Sequence, residues 1–181
     1  LFPGSRNQEY TKHYSLMEQA ASIIKSNNKE IQIAVGVAKG VSIAAEYKRY
    51  IHIERRDPQK LLRASDIAII ASGTATIEAA IYGVPMVVIY RLSFFSWVLS
   101  AALVRTKYIS MVNIILGRML VPELIQGKAS IDNIVERVEI LINNSTSRDV
   151  MLKGFDEIKN MLATEDPIKD AAEYIVNRYA I

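Results

Sequence analysis

Two short stretches carry residue types suited to holding an anion. The first, Pro3-Gly4-Ser5-Arg6, follows the apolar pair Leu1-Phe2. Gly4 permits close backbone approach, Ser5 offers a hydroxyl, and Arg6 offers a planar cationic fork that matches phosphate. The second, Ser72-Gly73-Thr74-Ala75-Thr76, places small residues between an apolar run and a helical pattern. Free N–H groups and the dipole at such a helix start favour an anion by about 0.3–1 kcal/mol or more. Glu78 falls four residues after Thr74 and so shares its side of the helix. A carboxylate there suits phosphate poorly but accepts hydrogen bonds from a diol such as a ribose. Phosphate at the helix tip and sugar one turn back describe a nucleotide site. A plain capped helix and a solvated arginine would give the same local residues. The balance shifts because both turns fall at equivalent strand ends of one α/β pattern.

A third cluster, Ser110-Met111-Val112-Asn113 with Pro122-Glu123-Leu124-Ile125-Gln126, offers donors and acceptors that could grip sugar hydroxyls. Locally, Asn113 in a turn and Pro122-Glu123 starting a helix explain the same residues. The stretch at residues 90–99 combines Tyr90, Phe94, Phe95 and Trp97 with aliphatics, flanked by Arg91, Arg105 and Lys107. It suits core packing, and on another face a membrane surface or acyl chains.

Several chemistries are excluded. The chain has 181 residues, half of them hydrophobic, with 22 basic against 19 acidic side chains, so a packed core is well supplied. Lys and Arg are scattered rather than striped, which argues against nucleic acid as a partner. Without cysteine there is no disulfide, thiolate zinc site or Cys nucleophile. The isolated His13 and His52 cannot form an H-E-x-x-H zinc helix. No G-x-x-x-x-G-K-[ST] or G-x-G-x-x-G motif is present, and Gly36 and Gly40 make neither. No signal-peptide pattern is visible at the start. The longest apolar-rich stretch, residues 92–104, is 13 residues with three serines, against the roughly 20 a spanning helix needs. The chain reads as a cytoplasmic-type domain cut from something longer, Leu1-Phe2-Pro3-Gly4 being the end of a strand.

The elements that must position these residues follow from periodicity. Tyr10, Tyr14, Met17, Ala21 and Ile24 mark one face of a helix over residues 7–25. Residues 31–37 read as a buried strand, 41–47 as a short helix and 51–53 as a brief strand. Asp57-Pro58 starts a helix by capping and by Pro at its first position, with Leu61, Leu62 and Ala64 as its buried face. Residues 67–71 and 86–90 are buried strands around a helix over 75–82, which Gly83 stops and Pro85 prevents from continuing. Near-continuous apolar strands alternating with helices predict a doubly wound parallel sheet, an α/β Rossmann-like fold. Beyond it come an apolar helix over 92–103, an irregular stretch over 105–126 and a helix over 131–142 capped by Ser130. Ser147 opens another helix, with Val150, Phe155, Ile158 and Leu162 inward, and Asp166-Pro167 opens the last. The expected organisation is a Rossmann-like domain over 1–128, with helices at 129–181 packing on it.

In open parallel sheets, ligands bind outside the carboxyl ends of the strands. The blocks Leu1–Arg6, Ala71–Ala80, Pro85–Arg91, Ile109–Ile114 and Val121–Gln126 occur in an order and spacing that resemble the lipid-A-disaccharide synthase family. These are inverting glycosyltransferases with the two-Rossmann-domain GT-B fold. One departure is Val112, where the family usually has Pro. The resemblance implies the C-terminal, UDP-sugar-binding half of such an enzyme, a hexosyltransferase of lipid A biosynthesis in Gram-negative bacteria. The implied reaction transfers the sugar of UDP-2,3-diacylglucosamine to 2,3-diacylglucosamine 1-phosphate, giving the β-1,6 disaccharide and UDP. No cofactor or metal is implied. Gly4, Ser5, Arg6, Ser72, Gly73, Thr74, Ala75, Thr76 and Glu78 would bind UDP. Asn113, Glu123 and Gln126 would lie around the diphosphate and donor sugar.

The general base and acceptor site are expected in a preceding Rossmann domain, so this chain alone should bind UDP weakly and transfer no sugar. The expected location is cytoplasmic, with peripheral contact at the inner face of the inner membrane, and the exposed interdomain face leaves a homodimer open. A peptidoglycan-precursor glycosyltransferase, a UDP-GlcNAc epimerase and a non-catalytic nucleotide-binding or membrane-docking module remain alternatives.

Overall fold

The computed structural model describes residues 1–42, 48–92, 107–163 and 167–179. The helices anticipated over 41–47 and 92–103, and the aromatic stretch at 93–99, lie wholly or mainly outside them. Helix α1 (Asn7–Asn27) leads to β1 (Ile33–Gly36), β2 (Ile51–Glu54), α2 (Pro58–Arg63), β3 (Ala68–Ala71), α3 (Ala75–Tyr82) and β4 (Met86–Tyr90). Then come α4 (Met111–Leu116), β5 (Glu123–Ile125), a 3₁₀ turn (Gln126–Lys128), α5 (Ile131–Asn143), α6 (Ser145–Leu162) and α7 (Pro167–Tyr179).

All strand pairs are parallel: β1 with β2, and β4 between β3 and β5. Residues 1–2 join the two groups. The Leu1 nitrogen donates to the Ala34 carbonyl at 2.7 Å, and Gly36 N–H donates back to the Leu1 carbonyl at 2.9 Å. On the other side Phe2 N–H donates to Ile69 and Ala71 N–H to Phe2, both at 2.8 Å. Counting residues 1–2 as the first strand, the lateral order is 3-2-1-4-5-6, the doubly wound Rossmann arrangement. The fold is α/β, as the alternation predicts.

Helices cover both faces, which is why β3 is buried at every position. Helix α1 packs with α5 on one face, and α3 packs with α2, α4 and α6. Ile134, Val138, Leu141, Met151, Phe155 and Ile158 of α5 and α6 join the same core as β3 and β4. Local signals act as read: Asp57 accepts from Lys60 N–H at 2.9 Å, Ser130 from Asn133 N–H at 3.3 Å, and Gly83 stops α3 at φ 72°.

Three details differ from the sequence reading. Helix α6 begins at Ser145 with Asn144 as its cap, and Met151 and Gly154 face inward, while Val150 and Leu162 are exposed. The helix therefore presents a face rotated from the one that Val150 and Leu162 suggest. Ala64 follows α2 and is exposed. The stretch 105–126 is not irregular throughout, since it contains α4 and β5.

Candidate functional site

The two anion-suited turns leave neighbouring strand ends. Pro3 follows Phe2 and Ser72 follows Ala71, and Phe2 and Ile70 are bridged. This is the position where strand order reverses, so α1 and α3 depart to opposite faces and open a crevice between them. Gly4 has φ 127°, a conformation costly for any residue with a side chain, and a Cβ there would meet Glu9 Cβ at 2.9 Å. Arg6 caps α1 through its backbone, and its side chain is 80% exposed and pairs with Glu9 at 2.8 Å.

At the start of α3, the first turn closes through Thr76 N–H to Gly73 and Ile77 N–H to Thr74. Among the described residues, the backbone N–H groups of Gly73, Thr74 and Ala75 have no acceptor. Gly73 and Thr74 are exposed, and the Thr74 hydroxyl makes no cap bond. These N–H groups are the unspent donors of a helix N-terminus. Thr76 is buried and its hydroxyl returns to the Gly73 carbonyl at 2.7 Å, while the Ser72 hydroxyl donates to the Ile109 carbonyl at 2.9 Å. These two hydroxyls shape the turn. Glu78 is half-buried one turn along and accepts from Gln59 of α2 at 3.2 Å.

The third cluster is closed on itself. Asn113 is fully buried; its Nδ2 donates to the Val121 carbonyl at 2.9 Å and to Glu123 Oε1 at 2.8 Å. Its Oδ1 accepts from Leu120 N–H at 2.7 Å and Val121 N–H at 3.0 Å. That is the full capacity of an amide side chain. Glu123 also accepts from Ile109 N–H at 3.0 Å, Ser110 N–H at 2.9 Å and the Ser110 hydroxyl at 2.8 Å. Gln126 holds Leu92 N–H at 3.0 Å and has φ 51°, the one non-glycine positive φ among the described residues. The structure thus brings the first two turns together with spare donors, and builds Asn113, Glu123 and Gln126 into the adjoining helix α4, strand β5 and 3₁₀ turn.

Val112 sits in the first turn of α4, behind the Ser110 cap. The backbone N–H there needs no intrahelical acceptor, so Val and Pro suit the same geometry.

Sequence reasoning missed His13. It is buried on the apolar face of α1, with Nδ1 3.0 Å from the Pro3 carbonyl and Nε2 accepting from Arg91 N–H at 3.1 Å. A polar ring inside the stripe formed by Tyr10, Tyr14 and Met17 was the available signal. Arg91 itself is tied down, its guanidinium donating to the Ala129 carbonyl at 2.6 Å.

A cavity of about 1250 Å³ opens at the other end of the sheet, with Leu1, Ile33, Ile67 and Pro85 in its lining. It gathers the amino ends of strands, away from the turns described above. Among the described residues no three His, Asp or Glu side chains converge as a metal site would require. No helix among them is long and apolar enough to cross a membrane.

A family model described as lipid-A-disaccharide synthetase matches residues 1–176. The chain belongs to the lipid-A-disaccharide synthase family. Lipid-A-disaccharide synthase of Acinetobacter baylyi is 31% identical over 93% of this chain and 47% of its own length. That of Anaeromyxobacter sp. (strain K) is 31% identical over 97% of the chain and 48% of its own length. The chain therefore spans about half the length of these lipid-A-disaccharide synthases. A solved structure titled Spinosyn Forosaminyltransferase SpnP aligns with 84% of the chain and 38% of its own, at 14% identity and a TM-score of 0.46.

Proposed function

We propose that this chain is the UDP-sugar-binding half of a lipid-A-disaccharide synthase, the second Rossmann domain of a GT-B glycosyltransferase. The observation that carries the reading is the pairing, at the strand-order reversal, of the Gly4-Ser5-Arg6 turn with the unspent N–H groups of Gly73, Thr74 and Ala75. In this reading the diphosphate lies across both turns. Arg6 and the α3 dipole hold the negative charge that grows on UDP as the glycosidic bond breaks, a preorganised stabilisation requiring no bound metal. Glu78, one turn back, accepts from the ribose hydroxyls, exchanging its exposed Gln59 contact for them.

The sugar then projects toward the loops held by Asn113, Glu123 and Gln126. Their side chains bond backbone groups and, for Asn113 and Glu123, each other, so these residues serve the donor sugar first by fixing the wall it meets. The donor is UDP-2,3-diacylglucosamine and the acceptor 2,3-diacylglucosamine 1-phosphate. The other half of the full-length relatives supplies the acceptor site and general base. Contact with the inner face of the membrane and pairing of two copies belong to the same proposal.

Titration calorimetry of the 181-residue chain with UDP, against UMP, ADP and NAD, tests the nucleotide half of this reading. Selective UDP binding without sugar transfer is expected; a cooperatively melting chain that ignores UDP would overturn it. Arg6→Ala should weaken UDP about tenfold, the scale of one charge-assisted hydrogen bond, while leaving uridine unchanged. Equal loss for both ligands would remove Arg6 from the phosphate contacts.

A further inference from the structure

His13 is buried yet engaged at both ring nitrogens. The Pro3 carbonyl can only accept, so Nδ1 carries the proton across that 3.0 Å contact. The Arg91 backbone N–H can only donate, so Nε2 presents its lone pair across 3.1 Å. Both bonds coexist only in the neutral Nδ1–H tautomer. An imidazolium has no lone pair for Arg91, and the Nε2–H tautomer fails at both ends.

The two atoms joined this way lie at the carboxyl edge of the sheet. Pro3 opens the Gly4-Ser5-Arg6 turn, and Arg91 directly follows β4, anchored by its guanidinium to Ala129. The Tyr90 ring lies alongside the imidazole, centroids 6.3 Å apart. We infer that His13 is a positioning residue for the candidate anion site: its neutral ring ties the Pro3–Arg6 turn to the end of β4, and protonation unties it. The consequence for ligand rests on the nucleotide reading; the tie does not.

The surroundings favour the neutral ring. Burial lowers the His13 pKa from its ordinary 6.5, against the Pro3 hydrogen bond and the Glu9 carboxylate, which favour the cation. Lys12 on α1 and Arg91 beyond β4 add to the lowering. The unfolded chain therefore takes up this proton at higher pH than the folded one. The stability that His13 contributes is complete above pH 6.5 and is lost as pH falls from there through the lowered folded value.

The decisive experiment is ¹⁵N NMR of the 181-residue chain from pH 7.5 to pH 5, following the His13 ring and the Gly4 and Ser5 amides. It is paired with titrations of UDP-N-acetylglucosamine, whose doubly esterified diphosphate does not itself titrate in this range. The Nδ1–H tautomer is expected at neutral pH, with Gly4 and Ser5 shifting in step with ring protonation. Affinity for the UDP-sugar should fall about three- to tenfold on that protonation, the scale of one hydrogen bond. His13→Asn, which keeps a donor near Pro3 but cannot titrate, should flatten both pH profiles.

An Nε2–H tautomer, a ring titrating at 6.5 or above, or Gly4 and Ser5 resonances that ignore the ring would each overturn the proposal. If the UDP-sugar does not bind at any pH, the nucleotide reading falls. The ring and amide signals of the wild-type chain then still decide whether the tie exists.

Discussion

The turn at Ser72–Thr76 and the cluster of Ser110, Asn113 and Glu123 use the same vocabulary of small hydroxyls, amides and a nearby carboxylate. They spend it in opposite ways. In the first, three consecutive N–H groups lack an acceptor among the described residues, and Gly73 and Thr74 face solvent. In the second, all four hydrogen-bonding positions of Asn113 are filled, and Glu123 gathers Asn113, both donors of Ser110 and the N–H of Ile109. Residue type therefore separates the two poorly, and unspent capacity separates them well. The regions are also connected: the Ser72 hydroxyl ends on the Ile109 carbonyl, in the same peptide unit as the Ser110 N–H that Glu123 holds. The closed cluster is the abutment against which the open turn rests.

The contrast can be broken by mutation, most sharply at Asn113. Asn113→Ala strands the N–H groups of Leu120 and Val121, the Val121 carbonyl and part of Glu123, and should cost about 3 kcal/mol in urea unfolding. A variant that kept its stability but lost UDP-sugar binding would move Asn113 from scaffold to contact. Gly4→Ala tests the open side. At φ 127° with Glu9 Cβ in the way it should lose about 2 kcal/mol, with the binding defect persisting well below the melting temperature. Full affinity in that variant would mean the turn is no part of the site.

The smallest effect is expected at Val112. Val112→Pro removes an N–H that the first turn of α4 does not use, and because Val112 is buried the swap should stay within about 1.5 kcal/mol by the same urea measurement. A larger loss would show that the first turn of α4 does not accept a proline there.

Much of this architecture was legible because local chemistry and periodicity agreed. Residues 75–82 and 86–90 have the predicted bounds, since Gly83 has no rival as a stop and Met86–Tyr90 is apolar throughout. Helix α4 and strand β5 were hidden because each is one or two turns of chain, too short for a period to register. Their positions depend on the Asn113 and Glu123 contacts, which link residues as far apart as 14 in sequence. Inward-facing Gly154 explains the misread face of α6: it lies against Leu120, where a Cβ would collide, so the helix packs on a glycine that carries no hydrophobic signal. At the site, both turns could be read from residue types. The His13 tie could not, because its partners are backbone atoms of residues 10 and 78 positions away.

The seam at residues 1–2 has a consequence for cooperativity. Two residues, through four main-chain hydrogen bonds, splice the β1–β2 ribbon to the β3–β5 ribbon. Gly36 lets Phe2 lie so close that a methyl group in its place would fall 2.6 Å from the ring. Helix α1 is the second link between the ribbons, with Leu16, Met17 and Ile24 in the core of one and Tyr10, Tyr14 and Ala21 in that of the other. A ligand that clasps the turns on either side of the seam would act as a rivet, its binding energy appearing as coupling between the halves. Hydrogen exchange at the amides of Gly36 and Ala71 would then report occupancy of the crevice from beneath it, without contact with the ligand.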